Sequence, residues 1–173
     1  NFSKINQGHN RTSEARYMFD QYKELKLFKN YCQAQIEYYA HEILKIDKKQ
    51  QFYITQAWVN FNKKNTYHHS HMHLNSLFSG VYFVTGNSTP ITFTKNPLNY
   101  LFPNWELTLT DYNKHNSRSW STNNDQNTLL LFPSSLIHEV TKNEQNEKRI
   151  SISFNTFIKG VIGASDRLTE LKL

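Results

Sequence analysis

The sequence predicts an α+β fold in which N-terminal helices pack outside a small β-barrel. Apolar residues recur at three- and four-residue intervals over 13–46, and from about residue 52 short β-rich runs alternate with Asn, Gly, Pro and Ser. No strand–helix–strand alternation follows, which argues against a parallel nucleotide-binding sheet. In the helical stretch, Tyr17, Met18, Leu25, Phe28, Cys32, Ile36, Tyr39 and Ile43 mark the apolar stripe. Ser13 before Glu14 reads as its start, and Asn30 with Tyr31 as a break between two helices. The β-rich runs are 52–61, 77–84, 91–94, 106–109, 128–132, 138–140 and 149–157, spaced as in a sandwich or barrel. The stretch 160–173 is expected to close the fold as a short helix.

A chain of 173 residues has the usual size of one domain, here a helical lead-in over 1–50, a β core over 52–158 and a closing segment over 159–173. Aromatic residues make up 14% of it, so Phe, Tyr and Trp should fill much of the core. Cys32 is the only cysteine, which excludes an internal disulfide and a thiolate zinc site and fits a reducing compartment. No apolar run approaches the roughly 18 residues of a membrane span. No secretory pattern opens the chain, so the expectation is a cytoplasmic protein. The net charge of +6 comes from scattered lysines with short clusters at Lys48-Lys49 and Lys63-Lys64, the pattern of a solvated surface. Nucleic acid is not excluded as a partner. Trp105, Trp120 and the basic loop 114–118 are read as surface features.

Four of the eight histidines, His68, His69, His71 and His73, fall within six residues of the chain. A tag would sit at a terminus, and this cluster is internal; a solvated His-rich loop is the plain alternative. In an extended segment residues i and i+2 point the same way, so His71 and His73 can share one metal, with His69 as a spare on that side. His138 is the best candidate for a third ligand, because it follows the strong strand at 129–132 and the turn Pro133-Ser134-Ser135. Three neutral imidazoles suit Fe(II), Zn(II), Cu(II) or Ni(II).

Eleven residues after His138 the alternation becomes strict. Ile150, Ile152 and Phe154 take one face, and Arg149, Ser151, Ser153 and Asn155 the other. An ordinary half-buried strand would turn the polar face to water. In a barrel that encloses a site, the polar face turns inward. The polar segment 141–148 reads as a hairpin loop that would set Arg149 on the strand beside His138. An inward arginine with a serine two residues on could grip a carboxylate beside the metal.

The runs Ala57-Trp58-Val59-Asn60, His71-Met72-His73-Leu74-Asn75-Ser76-Leu77-Phe78-Ser79-Gly80-Val81-Tyr82-Phe83-Val84, Leu129-Leu130-Leu131-Phe132-Pro133-Ser134-Ser135-Leu136-Ile137-His138-Glu139-Val140 and Arg149-Ile150-Ser151-Ile152-Ser153-Phe154-Asn155 come in this order over about 57–157. Together they resemble a family of 2-oxoglutarate/iron(II) oxygenases of bacteria and phages, distantly similar to prolyl hydroxylases. The resemblance implies a double-stranded β-helix (a jelly-roll, cupin-like barrel) and a dioxygenase using Fe(II), 2-oxoglutarate and molecular oxygen on a small-molecule or peptide substrate. By motif, His71, His73 and His138 fall at the metal positions, and Arg149 and Ser151 at the cosubstrate carboxylate. Asn60 falls near the cosubstrate, and either Tyr82 or Phe83 faces it. Where the wider superfamily usually has Asp or Glu as second ligand, this chain has His73. Two rival readings stand beside this one: a three-histidine zinc hydrolase, and a non-catalytic β-barrel binding module.

Overall fold

The computed structural model describes residues 2–86, 89–96, 108–113 and 115–173. Its spine is the alternating stretch, which forms the long strand β10, Arg149–Lys159. (Strands and helices are numbered in chain order.) On one side β10 pairs antiparallel with β3, Gln51–Asn62; on the other it pairs with β5, Phe78–Phe83. A hairpin of β1, Phe2–Ile5, and β2, Arg11–Ser13, extends the sheet beyond β3, and β8, Leu129–Pro133, closes it beyond β5. The result is a six-stranded sheet. A four-stranded sheet runs in the order β4, His68–His71, then β9, Ile137–Val140, then β6, Ile91–Thr94, then β7, Ser119–Thr122. The fold is mostly β with few helices.

The two faces of the larger sheet bury different chemistry. Its outer face carries Phe52, Ile54, Ala57, Phe78 and Phe154, packed under Met18, Phe19, Cys32, Ile36 and Ala40 of the helical segment. Gly80 sits opposite Phe154 in register, and a Cβ there would fall 2.1 Å from the Phe154 ring, so only glycine lets the ring lie flat on β5. Burial pushes the Cys32 thiol up to about 12, leaving it an inert core residue. Toward the smaller sheet point Val81, Phe83 and Phe132, which join Ile91, Phe93 and Val140 in a second apolar cluster. Beside that cluster, the space between the sheets is lined with polar side chains.

Several expectations are corrected. No helix spans 13–46: Arg11–Ser13 is a strand, α1 is Met18–Gln21, and α2, Lys26–Glu37, continues into a π-helical turn at Tyr38–Ile43. The break falls at Tyr22, whose backbone is extended, and α2 runs unbroken through Asn30 and Tyr31. Ser13 does not cap a helix because Val59 N donates to its Oγ (3.0 Å), while Ala57 N donates to Arg16 O (2.9 Å). These bonds hold 13–17 against β3. The closing helix is absent as well. Past Lys159 the chain turns at Gly160 (φ 108°) and forms a small hairpin of β11, Val161–Ile162, and β12, Leu171–Lys172.

Segment 141–148 is not a hairpin loop, since β9 and β10 lie in different sheets. Fully buried Asn143 ties the crossover down: its Nδ2 donates to Asn62 O (3.1 Å) and Glu147 O (2.9 Å), and its Oδ1 accepts from Thr89 (3.1 Å) and Gln145 (3.1 Å). Nor do the sheets join into one closed barrel; they face each other as two layers. Of the expected strand 106–109, residues 106–107 lie outside the described residues, as do Trp105 and Lys114, and Leu109 is not in a strand. No helix among the described residues is long and apolar enough to cross a membrane.

Candidate metal and anion site

The four-stranded sheet presents the histidines. His71 on β4 lies opposite His138 on β9, and His73 follows β4 with its backbone N–H bonded to Ser134 O (3.0 Å). One ring nitrogen from each of His71, His73 and His138 lies within 4.8 Å of the other two. The opposite nitrogens are already engaged. His71 Nδ1 lies 2.7 Å from His69 O, His138 Nδ1 2.9 Å from Leu136 O, and His73 Nδ1 2.6 Å from Asn155 Oδ1. Asn155 Oδ1 also accepts from Ser79 Oγ at 3.0 Å. Carbonyl oxygens only accept, so each Nδ1 carries the proton and each Nε2 is left with a lone pair.

The Nε2 atoms of His73 and His138 face each other at 3.3 Å. Two lone pairs repel at that separation, whereas two imidazoles on one divalent ion at about 2.1 Å naturally hold such a spacing. The donor set therefore fits a divalent cation. Burial, then the neighbouring imidazoles, pulls the His138 ring down to about 3; burial likewise brings His73 to about 4. The rings stay neutral, as metal binding needs.

His69 does not share this inner space, contrary to the simple i, i+2 expectation. The pairing of β4 with β9 slips between His68 and His71, a β-bulge that puts two residues of β4, His69 and Ser70, against one of β9, Glu139. Hence His68 stacks on His71 (ring centroids 4.3 Å apart) and lines the inner cavity, while His69 lines an outer cleft. His68, His69 and His71 form a second group of neighbouring ring nitrogens.

Opposite the histidines stands the six-stranded sheet's polar face. Arg149, Ser151, Ser153, Asn60, Asn62 and Trp58 line the inner cavity together with His71, His73 and His138. Arg149 is 1% exposed, lies 5.2 Å from the centroid of the Phe83 ring, and leaves Nε and Nη2 without a partner. Burial lowers its pKa to about 10, so it remains a cation at neutral pH. A buried, unpaired charge costs several kcal/mol, and an incoming anion is what relieves it. Asn62, Arg149's partner in the β3–β10 register, is also buried with both amide atoms unpartnered. Asn60 is spoken for: it donates to Ser153 Oγ (2.9 Å) and accepts from Thr12 Oγ1 (3.4 Å). Tyr82 turns outward to Phe28 and Asn127, which leaves Phe83 as the inward residue. The inner cavity is narrow, about 30 Å³, room for one or two waters.

Sequence reasoning brought Arg149, Ser151, Asn60 and the three histidines toward one place, and the structure puts all of them on one cavity. Asn62, His68 and Trp58 were missed. Asn62 and Trp58 share a strand face with Asn60, so period-two counting could have found them. Nothing in the sequence signals the bulge that turns His68 inward.

A family model described as "Putative 2OG-Fe(II) oxygenase" matches residues 56–155. No curated protein matches the sequence. Among solved structures, similar ones include SnoN, a non-heme alpha ketoglutarate dependent epimerase from nogalamycin biosynthesis (TM-score 0.65, 10% identity, covering 91% of this chain and 67% of SnoN). A prolyl-4-hydroxylase from Pseudomonas putida aligns with TM-score 0.55 and 11% identity over 90% of this chain and 76% of its own. A prolyl hydroxylase from Trichoplax adhaerens, in complex with a hypoxia inducible factor peptide fragment, gives TM-score 0.58 and 13% identity over 90% of this chain and 66% of its own. These neighbours are longer, and the chain spans 45% of a 2OG-Fe(II) oxygenase family oxidoreductase from Burkholderia pseudomallei.

Proposed function

The chain belongs to the 2OG-Fe(II) oxygenase family, and from that premise we propose that His71, His73 and His138 hold its iron while Arg149 holds the far carboxylate of its 2-oxoglutarate. Residues 1–173 then act as one oxygenase domain, and the two facing sheets are the two halves of a double-stranded β-helix. The observation that carries the reading is the unpaired, buried Arg149 guanidinium, on the same cavity as three imidazoles whose Nδ1 protons are already donated. A zinc hydrolase needs the imidazoles and has no use for the guanidinium. A passive binding module needs neither.

Bound there, iron and 2-oxoglutarate supply oxygen activation coupled to decarboxylation, giving succinate and CO2 as an organic substrate is oxidised. The protein's own part is positioning. His69 O, Asn155 Oδ1 and Leu136 O hold the three rings in the Nδ1–H tautomer, so the Nε2 lone pairs converge. Trp58 stacks on His73 at 5.8 Å, and Phe93 and Phe132 pack against His138 at 5.8 and 4.9 Å, keeping water from the rings. Arg149, with Ser151 and Asn62 beside it, supplies charge and hydrogen bonds for a carboxylate. Asn60 acts by holding Ser153 and the β3–β10 seam. Because the cavity is narrow, seating a five-carbon diacid displaces side chains on its walls.

Three imidazoles bring no charge. A loaded centre of Fe(II), the 2-oxoglutarate dianion and Arg149 therefore carries one net positive charge, where an Asp or Glu ligand would bring it to zero. The test is anaerobic addition of Fe(II) and 2-oxoglutarate, which should produce a visible charge-transfer band, with oxygen-dependent succinate formation on aeration. Tight zinc retention with no succinate from the iron-loaded protein would instead favour the hydrolase.

A further inference from the structure

The histidine row separates two spaces, and only the inner one is used by the cosubstrate reading. On its other side opens a cleft of about 310 Å³, lined by Asn6, Thr12, Arg16, Gln56, Trp58 and Met72 as well as by His68, His69, His71 and His73. That is the lower end of the size range of small-ligand sites. Trp58, His68, His71 and His73 line both spaces, so a molecule in the outer cleft lies against the same rings that face the inner cavity.

Arg16 gives this cleft its chemistry. It stands in an extended segment pinned to β3: Ala57 N donates to Arg16 O at 2.9 Å, and Tyr17 bridges Ala57 next to it. Arg16 thus lines the cleft together with Gln56 and Trp58, the residues flanking Ala57. Its Nη1 is buried without any hydrogen-bond partner, and Arg16 joins no ion pair among the described residues. No Asp or Glu lines either the cleft or the inner cavity. Arg16, neutral imidazoles and a lining without a carboxylate make this a positive pocket, with Arg149 behind the histidine row adding to it, and such a pocket draws and holds anions. The indole of Trp58 and the thioether of Met72 supply apolar wall beside the guanidinium.

We propose that the outer cleft is the substrate site and that it selects a small organic anion, its charged group paired with Arg16 and its apolar body laid along Trp58 and Met72. The proposal rests on the oxygenase reading for the identity of the reaction, but the anion site stands on Arg16 alone. A carboxylate and a phosphate ester share the required chemistry, and the probes below tell them apart. Arg16 contacts neither the imidazole triad's engaged nitrogens nor Arg149's cavity, so its role is to hold the substrate's anionic end.

The test uses the anaerobic protein loaded with Fe(II) and 2-oxoglutarate, titrated with hippurate, benzoate, indole-3-acetate and phenyl phosphate, each beside its uncharged amide or alcohol. An acid should bind about tenfold or more tightly than its neutral partner, the scale of a hydrogen bond to a charged group. In Arg16→Gln that ratio should fall to about one, in Arg16→Lys it should be partly kept, and in both the 2-oxoglutarate affinity should match wild type. The better of hippurate and phenyl phosphate identifies the anion. An acid preference missing across the whole panel, or surviving intact in Arg16→Gln, overturns the proposal. So does loss of 2-oxoglutarate affinity in Arg16→Gln, which would move Arg16 into the cosubstrate site. Failure of wild type to bind 2-oxoglutarate would count against the oxygenase reading instead, and the acid preference could still be measured on the Fe(II)-loaded protein.

Discussion

The two walls of the inner cavity are satisfied to different degrees. On the four-stranded sheet, the three imidazoles have each found an acceptor for one nitrogen and turn the other inward. On the six-stranded sheet, Arg149 and Asn62 are more deeply buried and have polar atoms with nothing to bond. The first wall is preorganised, and a cation completes it without new protein contacts. The second stores a desolvation cost that only a ligand removes. A site can thus be rigid toward its metal and hungry toward its cosubstrate within one cavity.

The sharpest way to break this contrast is Arg149→Met. Affinity for 2-oxoglutarate should fall by about two orders of magnitude, since losing a buried charge pair costs on the order of 2–5 kcal/mol. The ligand-free protein should nonetheless gain a few degrees in Tm, because a hydrocarbon replaces an unpaired buried charge. Titration and thermal unfolding read the two effects, and a lower Tm in the variant would mean that the guanidinium is not stranded.

Asn155→Ala tests the opposite wall. Without its Oδ1 the His73 ring loses its anchor, and Fe(II) affinity should drop about 10- to 100-fold. Anaerobic metal titration gives the answer; unchanged affinity would show that ring orientation is set elsewhere. A smaller effect is expected from Asn62→Leu. It should weaken 2-oxoglutarate about fivefold, one net hydrogen bond's worth, while leaving ligand-free stability equal or higher. If stability drops by more than a degree or two, Asn62 has partners of its own.

The mildest probe is pH. The buried His73 and His138 rings titrate near 4 and 3, against an ordinary 6.5. Between 6.5 and those values the unfolded chain binds more protons than the folded one, so stability falls as pH falls through that window. The ligand-free protein should lose a few degrees of Tm between pH 7 and 5. His138→Phe should flatten that slope, and a Tm insensitive to pH would discard the buried-imidazole account.

Period-two patterning made much of this legible. The strict alternation over 149–155 announced a strand with a polar inner face, and the i, i+2 rule brought His71 and His73 together. What stayed hidden was tertiary. Segment 141–148 is as polar as any hairpin loop, yet it crosses between sheets, since β9 and β10 lie in different ones, and Asn143 ties it down through Asn62, Glu147 and Thr89. Arg149 therefore meets His138 across the gap rather than from the next strand, a relation no local pattern encodes. Residues 13–17 have helical periodicity, yet their bonds to Ala57 and Val59 outweigh a weak intrinsic preference. Arg16 offered no sequence signal, since a lone arginine amid a helical pattern reads as solvated.

The extra residue that β4 carries against β9 makes the count of residues between the histidines, more than their composition, set which rings turn inward. Deleting Ser70 would remove the bulge and leave His68 and His71 two apart on a regular strand, with both pairings to β9 kept, whereas adding one residue there would push His71 out of step with His138. An inserted residue should therefore injure the centre more than replacing Ser70 with almost any other side chain, and copying residue roles between relatives by simple counting through this stretch invites an error of one.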